Sequence, residues 1–256
     1  MIAFFRKRRF LEAEDEDWHL ASWKFMFEHF GGLTRLKASP LVNGTRAFFP
    51  PTDAIGHARA EHIFACVKTI AGMADWPCTL AAQPERIRTH VSEYVFLKII
   101  KNDLPLGTFG TDGKGEVMIT YDRAILDQPA KLVATLAHEL SHYLLAGMHD
   151  AVPGGDAMHE FATDLMTVFL GFGLFGANGA FEFAQHGDAF GQGWRYSSAG
   201  YLSQRDWVFA LAVFRALRDE DTESLKPLLK PHLYVDLQKA AKYLTNSPEL
   251  LSGLRA

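Results

Sequence analysis

Apolar residues recur at helical spacing over most of the second half of the chain. Positions three and four residues apart lie on one face of a helix, so this period predicts amphipathic helices. A further helix is predicted earlier, at 57–72, with Ile63, Val67 and Ile70 facing inward and Gly72 at its end. The predicted helices of the second half span 127–147, 156–173, 203–218 and 231–244.

Strand signals lie between the first predicted helix and the helical half. Residues 116–121 alternate between polar and apolar side chains, as a half-buried strand does. Segments 41–49, 78–83 and 91–100 also have extended or strand-like composition, with a helix as the alternative for 91–100. The glycines within 107–115 predict a hairpin turn. A phosphate-binding loop is disfavoured because no Gly-Lys-Ser/Thr is present and no helix follows.

The segment 165–177 is apolar and glycine-rich, and it continues the predicted helix that begins at 156. It is too short to cross a membrane, since a transmembrane helix needs about 20 apolar residues. We expect a core helix that packs closely against its neighbours through Gly171, Gly173 and Gly176. The following residues, 179–201, predict an irregular segment that borders a cleft.

These elements together predict an α+β fold. Residues 41–126 form a mixed α/β portion with a small sheet, and residues 127–256 form a mainly helical portion. The helix at 127–147 is expected to lie between them, so that 41–256 is one two-lobed domain.

Residues 1–40 are interpreted as an N-terminal arm that carries an aromatic-rich segment. Such a density of aromatic side chains needs an apolar surface to cover it. Docking on the body of the protein is the simpler interpretation, and binding of a protein partner is the alternative. The aromatic residues are Trp18, Trp23, Phe25, Phe27 and Phe30.

Composition adds constraints on partners and compartment. The 256 residues are 48% hydrophobic, enough for a substantial core, and the net charge of −4 gives no indication of nucleic-acid binding. The basic run at 6–9 is followed by acidic residues rather than an apolar segment. We therefore expect no secretion signal, no membrane anchor and a cytoplasmic protein. Cys66 and Cys78 have no redox spacing, so we predict reduced core thiols.

Candidate chemistry lies in the helix at 127–147, which contains the sequence His-Glu-x-x-His. His138 and His142 are four residues apart, so both imidazoles can reach one metal ion. Glu139 lies about a third of a turn away, where it can act as a general base on water. The flanking residues are uncharged. The helix is apolar on nearly all sides, which disfavours a solvated surface helix. Burying these three polar groups without a metal would cost roughly several kcal/mol, and a bound metal removes that cost.

The third ligand is expected from the next predicted helix. Glu160 is the leading candidate, and Asp164, one turn on, would accept the N–H of a ligating histidine. Asp156 is predicted to cap this helix. His159, Asp156, His149 and Asp164 are the alternative ligands. His149 does not fit the metzincin spacing, and His159 would point about 100° away from Glu160 on the helix.

This pattern resembles the gluzincins, zinc metallopeptidases in which His-Glu-x-x-His is followed by a second helix with Glu-x-x-x-Asp. The spacer at 143–159 is also close to that of the group, and the resemblance covers about 131–170. It implies a zincin-like fold and one zinc ion. The matching residues are His138, Glu139, His142, Glu160 and Asp164.

Two further expectations follow from resemblance. In similar proteins an edge strand before the metal helix lines the cleft, and 116–121 is the candidate to pair with an extended peptide. Residues 163–171 and 200–203 resemble an uncharacterised group of bacterial proteins with this motif, which implies no substrate.

The function expected is zinc-dependent hydrolysis of peptide bonds, with Glu139 as general base. One alternative is a non-catalytic metal-binding protein that binds a partner through the aromatic segment. The presence of Glu139 argues against it, because a structural site needs no base. A metal-dependent amidase acting on a non-peptide substrate is the second alternative. The candidates for stabilising the oxyanion are Tyr201, Tyr196, Arg195 and His232.

Overall fold

The computed structural model describes residues 9–84, 106–111, 116–186 and 201–255. Within these ranges the chain forms helices and one small sheet, which is a mixed α/β fold. The helices are α1 (Ala13–His29), α2 (Gly32–Ala38), α3 (Gly56–Ile70), α4 (Pro129–Leu145), α5 (His159–Phe169), α6 (Gly173–His186), α7 (Gln204–Leu217), α8 (Pro231–Thr245) and α9 (Glu249–Arg255). The strands are β1 (Thr79–Ala82), β2 (Gly107–Thr111) and β3 (Val117–Tyr121).

The sheet has the order β1-β3-β2, with β1 parallel and β2 antiparallel to β3. The prediction that 116–121 is an edge strand is therefore wrong, because β3 pairs on both sides and buries Ile119 and Tyr121 completely. Within the ranges described, β2 has a hydrogen-bonded neighbour on one side only. The antiparallel pairing of β2 with β3 agrees with the predicted hairpin, but Gly107 and Gly110 lie in a strand, and residues 112–115 lie outside the described residues.

Two other strand predictions have different outcomes. Segment 41–49 consists of turns and bends rather than a strand, and the Val42 N–H donates to the Gly171 carbonyl at 2.9 Å. A backbone N–H of this segment therefore finds its hydrogen-bond acceptor at the end of α5 instead of on a neighbouring strand. Segment 91–100 lies outside the described residues.

Helix α4 lies between the sheet and the helical portion. It contacts α3, β2 and β3 as well as α5 and α6. Pro129 begins it, where the missing N–H costs no intrahelical hydrogen bond. Leu132, Leu136 and Leu140 recur every four residues and are completely buried. Helix α4 thus carries His138, Glu139 and His142 through the middle of the fold.

The prediction of one continuous helix through 156–177 is wrong. Helix α5 ends at Phe169, and Gly171 has a left-handed φ of +96°. A Cβ on Gly171 would lie 1.9 Å from the Pro40 carbonyl oxygen, so the chain can turn here only with glycine. Helix α6 then begins at Gly173 and continues to His186, so the first part of 179–201 is helical rather than irregular.

The close packing predicted at the other two glycines is present. A Cβ on Gly173 would lie 2.8 Å from Leu211, and a Cβ on Gly176 would overlap the ring of Trp207. Both partners belong to α7, so these glycines let α6 and α7 approach each other closely.

The aromatic-rich N-terminal segment forms most of α1 and docks on the body of the protein. Trp23 and Met26 are completely buried, and the Trp23 ring lies 6.3 Å from that of Phe169 on α5. Helix α1 also contacts α9, a short C-terminal helix that the sequence pattern did not predict. None of the helices in the described ranges is long and apolar enough to cross a membrane. Cys66 and Cys78 are free and half-buried.

The break at Gly171 gives a stability prediction. Gly171→Ala should destabilise the fold by about 3 kcal/mol or more, because a left-handed residue costs roughly 1–2 kcal/mol and the overlap with Pro40 adds to it. Gly56→Ala is the matched control, since Gly56 also has a positive φ, +57°, but has nothing within 4 Å of an added Cβ. Urea unfolding of both variants measures the difference. Equal destabilisation would show that the contact with Pro40 is unimportant.

Candidate metal centre

Three side-chain atoms from α4 and α5 form a nearly equilateral triangle. The Nε2 atoms of His138 and His142 lie 3.1 Å apart, and Glu160 Oε2 lies 3.3 Å from the first and 3.4 Å from the second. Tetrahedral zinc with ligands at about 2.0–2.1 Å has ligand atoms about 3.3 Å from one another. The residues present therefore fit one zinc ion, and they are the group in the described chain that could hold a metal.

His138 is oriented by Asp164. Its Nδ1 lies 2.9 Å from Asp164 Oδ1, and since a carboxylate only accepts, Nδ1 carries the proton and Nε2 faces the triangle. Burial opposes the charged imidazolium, but hydrogen bonds to Asp164 and Glu160 outweigh it and raise the pKa of His138 well above its usual range. The surrounding carboxylates thus favour a positive charge at this position.

His142 is oriented by Thr163, a residue that the sequence analysis did not single out. The Thr163 hydroxyl donates to the His159 carbonyl at 2.8 Å, so its oxygen is left to accept from His142 Nδ1 at 3.3 Å. The Nε2 atom of His142 then faces that of His138. When these two nitrogens are unprotonated, as metal ligands must be, their lone pairs and the Glu160 oxygen repel one another unless a cation lies among them.

Glu160 lies on the first turn of α5, and its side chain is 45% exposed. Desolvation opposes its ionised form, but hydrogen bonds from His138 and His142 lower the pKa of Glu160 far below its usual value. It is therefore an anionic ligand candidate. Asp164, one turn later, lies behind His138 and outside the triangle.

Glu139 is beside the triangle but not part of it. Its side chain is buried, and burial raises its pKa although His138 and His142 partly oppose this. Strand β2 passes directly over it: a Cβ on Gly107 would lie 2.8 Å from Glu139 Oε1. Gly107, predicted only as part of a turn, thus leaves the space that the carboxylate occupies.

The triangle opens onto a cavity of about 570 Å³. Residues from β2, from both metal helices and from the loop between them line it, together with Tyr201. The Tyr201 ring lies 5.6 Å from that of His138, and burial raises the pKa of its hydroxyl, so the phenol is a proton donor at neutral pH. The cavity leaves room for water and for a substrate beside the ligands.

The alternative ligands have other surroundings. Asp156 does not cap α5, because a short 3₁₀ turn spans 156–158 and α5 begins at His159. Its Oδ1 instead lies 3.0 Å from His149 Nδ1. The His149 ring stacks on His159 at 3.9 Å, and His159 is buried with no hydrogen-bond partner for Nε2. These three residues lie outside the candidate metal triangle.

The remaining predicted site residues are not brought to the cavity by the described structure. His232 lies on the first turn of α8, is exposed, and is not among the residues that line the cavity. Tyr196 and Arg195 lie outside the described residues. Of the four oxyanion candidates, the structure places Tyr201 beside His138.

Comparison of the chain with known protein families, with curated proteins and with solved structures finds no match. The geometry of the site and its local sequence motif are therefore the basis for a functional assignment.

Thr163 should matter for metal affinity. Thr163→Val removes the acceptor for His142 Nδ1 with little change in shape, so zinc should bind about tenfold more weakly, the lower end of the effect of losing a ligand-orienting partner. Thr167→Val is the matched control, because Thr167 is also buried on α5 and its hydroxyl bonds the Asp164 carbonyl instead of a ligand. Competition titration with a zinc chelator measures both. Equal losses would contradict the orienting role.

A second zinc titration distinguishes Glu160 from His159 as the third ligand. Glu160→Ala should lower zinc affinity drastically, because it removes the anionic corner of the triangle. Asp164→Ala should weaken binding by about 10–100-fold, and His159→Ala should change it little. Loss of the metal in the His159 variant with retention in the Glu160 variant would overturn this ligand set.

Proposed function

We propose that the protein is a zinc-dependent hydrolase of peptide bonds with a zincin-like fold. One observation carries the proposal: two imidazole nitrogens and a carboxylate oxygen have the spacing of three zinc ligands, while Glu139 lies in the same cavity outside that group. The gluzincin-like order of these residues along the chain supports it as well.

When bound, zinc supplies Lewis acidity, which polarises a carbonyl group and acidifies water. Glu139 accepts a proton from the attacking water on its carboxylate and returns it to the departing amine. Its burial beside β2 keeps that carboxylate in one place and away from bulk solvent. Tyr201, whose phenol stays protonated, donates a hydrogen bond to the developing oxyanion.

The open cavity supports an enzyme over a purely structural metal protein. A structural zinc site is closed by four protein ligands, whereas a catalytic site keeps one position for water or substrate. Here three candidate ligands face a cavity of about 570 Å³. A non-catalytic protein would have no use for Glu139 at this position.

Strand β2 supports a peptide substrate over a small non-peptide amide. Gly107, Thr108 and Phe109 line the cavity, and in the described chain β2 pairs with β3 on one side. An extended peptide can add to such a strand by main-chain hydrogen bonds. The role first assigned to 116–121 thus passes to β2.

Replacing the proposed base tests this function. Glu139→Gln should bind zinc stoichiometrically, as measured by elemental analysis, and lose about 10²–10⁴-fold in peptide hydrolysis. Glu28→Gln on the exposed face of α1 is the control for loss of a surface charge. If Glu139→Gln loses the metal, Glu139 is a ligand rather than the base. A zinc-loaded wild-type protein that cleaves nothing in a diverse peptide library would contradict the proposed function.

A further inference from the structure

Two adjacent residues of α1 contact two different segments that border the metal cavity. Trp18 contacts the loop between α4 and α5, and His19 contacts Asp206 in the first turn of α7, directly after the segment with Tyr201. Neither residue is among those that line the cavity. Both contacts join parts of the chain that are far apart in sequence.

Trp18 holds the loop that follows the metal helix. Its indole N–H donates to the Pro153 carbonyl at 2.9 Å. The same loop carries Gly147 and His149 into the cavity wall. The Trp18 ring also packs edge-on against Phe161, 6.2 Å away, which directly follows Glu160. Trp18 therefore supports the loop and the first turn of α5 together.

His19 holds the other wall through Asp206. His19 is completely buried, and its Nε2 lies 3.2 Å from Asp206 Oδ1. Burial disfavours the carboxylate, but hydrogen bonds from His19 and Ser203 outweigh it and lower the pKa of Asp206, which stays an anionic acceptor. The other oxygen of Asp206 accepts from the Ser203 amide at 3.2 Å and from the Ser203 hydroxyl.

The segment at 201–203 is thereby held by two carboxylates in succession. The Leu202 amide donates to Asp164 Oδ2 at 2.9 Å, and the next amide donates to Asp206. Tyr201, immediately before them, borders the cavity beside His138. The position of Tyr201 thus depends on Asp164 from the metal side and on His19 and Asp206 from the α1 side.

We propose that Trp18 and His19 are positioning residues, which fix the two walls of the metal cavity from outside it. Trp18 fixes the loop with His149, and His19 acts through Asp206 on the segment with Tyr201. Helix α1 then has two functions: it packs against the hydrophobic core, and it holds the walls of the cavity in position. Its effect on hydrolysis rests on the proposed function, whereas its effect on the walls does not.

Hydrogen exchange by mass spectrometry, on the full chain without added metal, tests the two contacts separately. Trp18→Phe keeps an aromatic ring but deletes the N–H, so amides at 146–158 should exchange roughly 3–10-fold faster while those at 201–204 are unchanged. His19→Leu should give the reverse pattern, with a roughly 10–100-fold change at 201–204 because it removes a bond to a charged group.

Two further variants serve as controls. Trp23→Phe makes the same change on the same helix, but the Trp23 indole N–H is buried without a hydrogen-bond partner, so neither wall should respond. His19→Gln offers an amide N–H to Asp206 and should restore most of the protection at 201–204. Unchanged exchange at the assigned wall, or equal acceleration throughout α7 and α8, would overturn the proposal.

Kinetics of the zinc-loaded variants give an independent measure. Trp18→Phe and His19→Leu should keep the wild-type zinc content but lose about 10–100-fold in kcat/KM. A mutation far from the reacting atoms can cause such a loss when it displaces groups in the active site by about 1 Å. Trp23→Phe should match the wild type. If the wild type cleaves no peptide, the proposed function fails, and the exchange pattern still decides whether α1 fixes the walls.

Discussion

The Asp164 carboxylate is the group on which both the candidate metal triangle and its cavity wall depend. It is 4% exposed, and its two oxygens accept from His138 Nδ1 and from the Leu202 amide, each at 2.9 Å. A buried carboxylate is costly unless both oxygens are bonded, so the two contacts are stabilised together. One side chain on α5 therefore sets the orientation of a ligand on α4 and the path of the chain after residue 201. Without it, no single side chain would contact both the ligand His138 and the wall segment at Leu202.

Much of the helical architecture follows from hydrophobic period alone. The apolar positions of α4, α7 and α8 recur every three to four residues, and the structure has helices there within a few residues of the predicted ends. The break after Phe169 could not be found in this way, because Gly171 is required by a contact with Pro40, distant in sequence. Likewise, alternation at 117–121 identifies a strand, but its central place in the sheet depends on partners from both sides. Pairing is a tertiary property that a single segment does not encode.

In the candidate metal site, too, the local sequence predicts some residues, while others can be recognised only from contacts in the folded structure. His138 and His142 share a helix face by spacing, and Glu160 and Asp164 repeat that spacing on α5, so local geometry is enough to predict their neighbourhood. Thr163 carries no such signal, because threonine bonding a preceding carbonyl is common in helices and its second role appears only beside His142. The sequence predicts Gly107 only as a turn residue, and its contact with Glu139 appears only once β2 packs over α4. Trp18 is recognisable in the sequence only as a member of the aromatic-rich segment, and His19 has no sequence signal because its partner Asp206 is 187 residues away.

The separation in sequence of these parts has a consequence for the order in which the protein is made. All the candidate ligands and Asp164 lie within residues 138–164, so closing that part of the chain costs little entropy and the two helices can pair as soon as both are synthesised. His19 is synthesised before the candidate ligands, but its partner Asp206 is 187 residues later. A nascent chain can thus assemble the three ligand positions well before the wall with Tyr201 is fixed. The wall with Tyr201 is therefore fixed only after the ligand set can form, and a chain cut short before Asp206 would retain the ligands without the contact that fixes this wall.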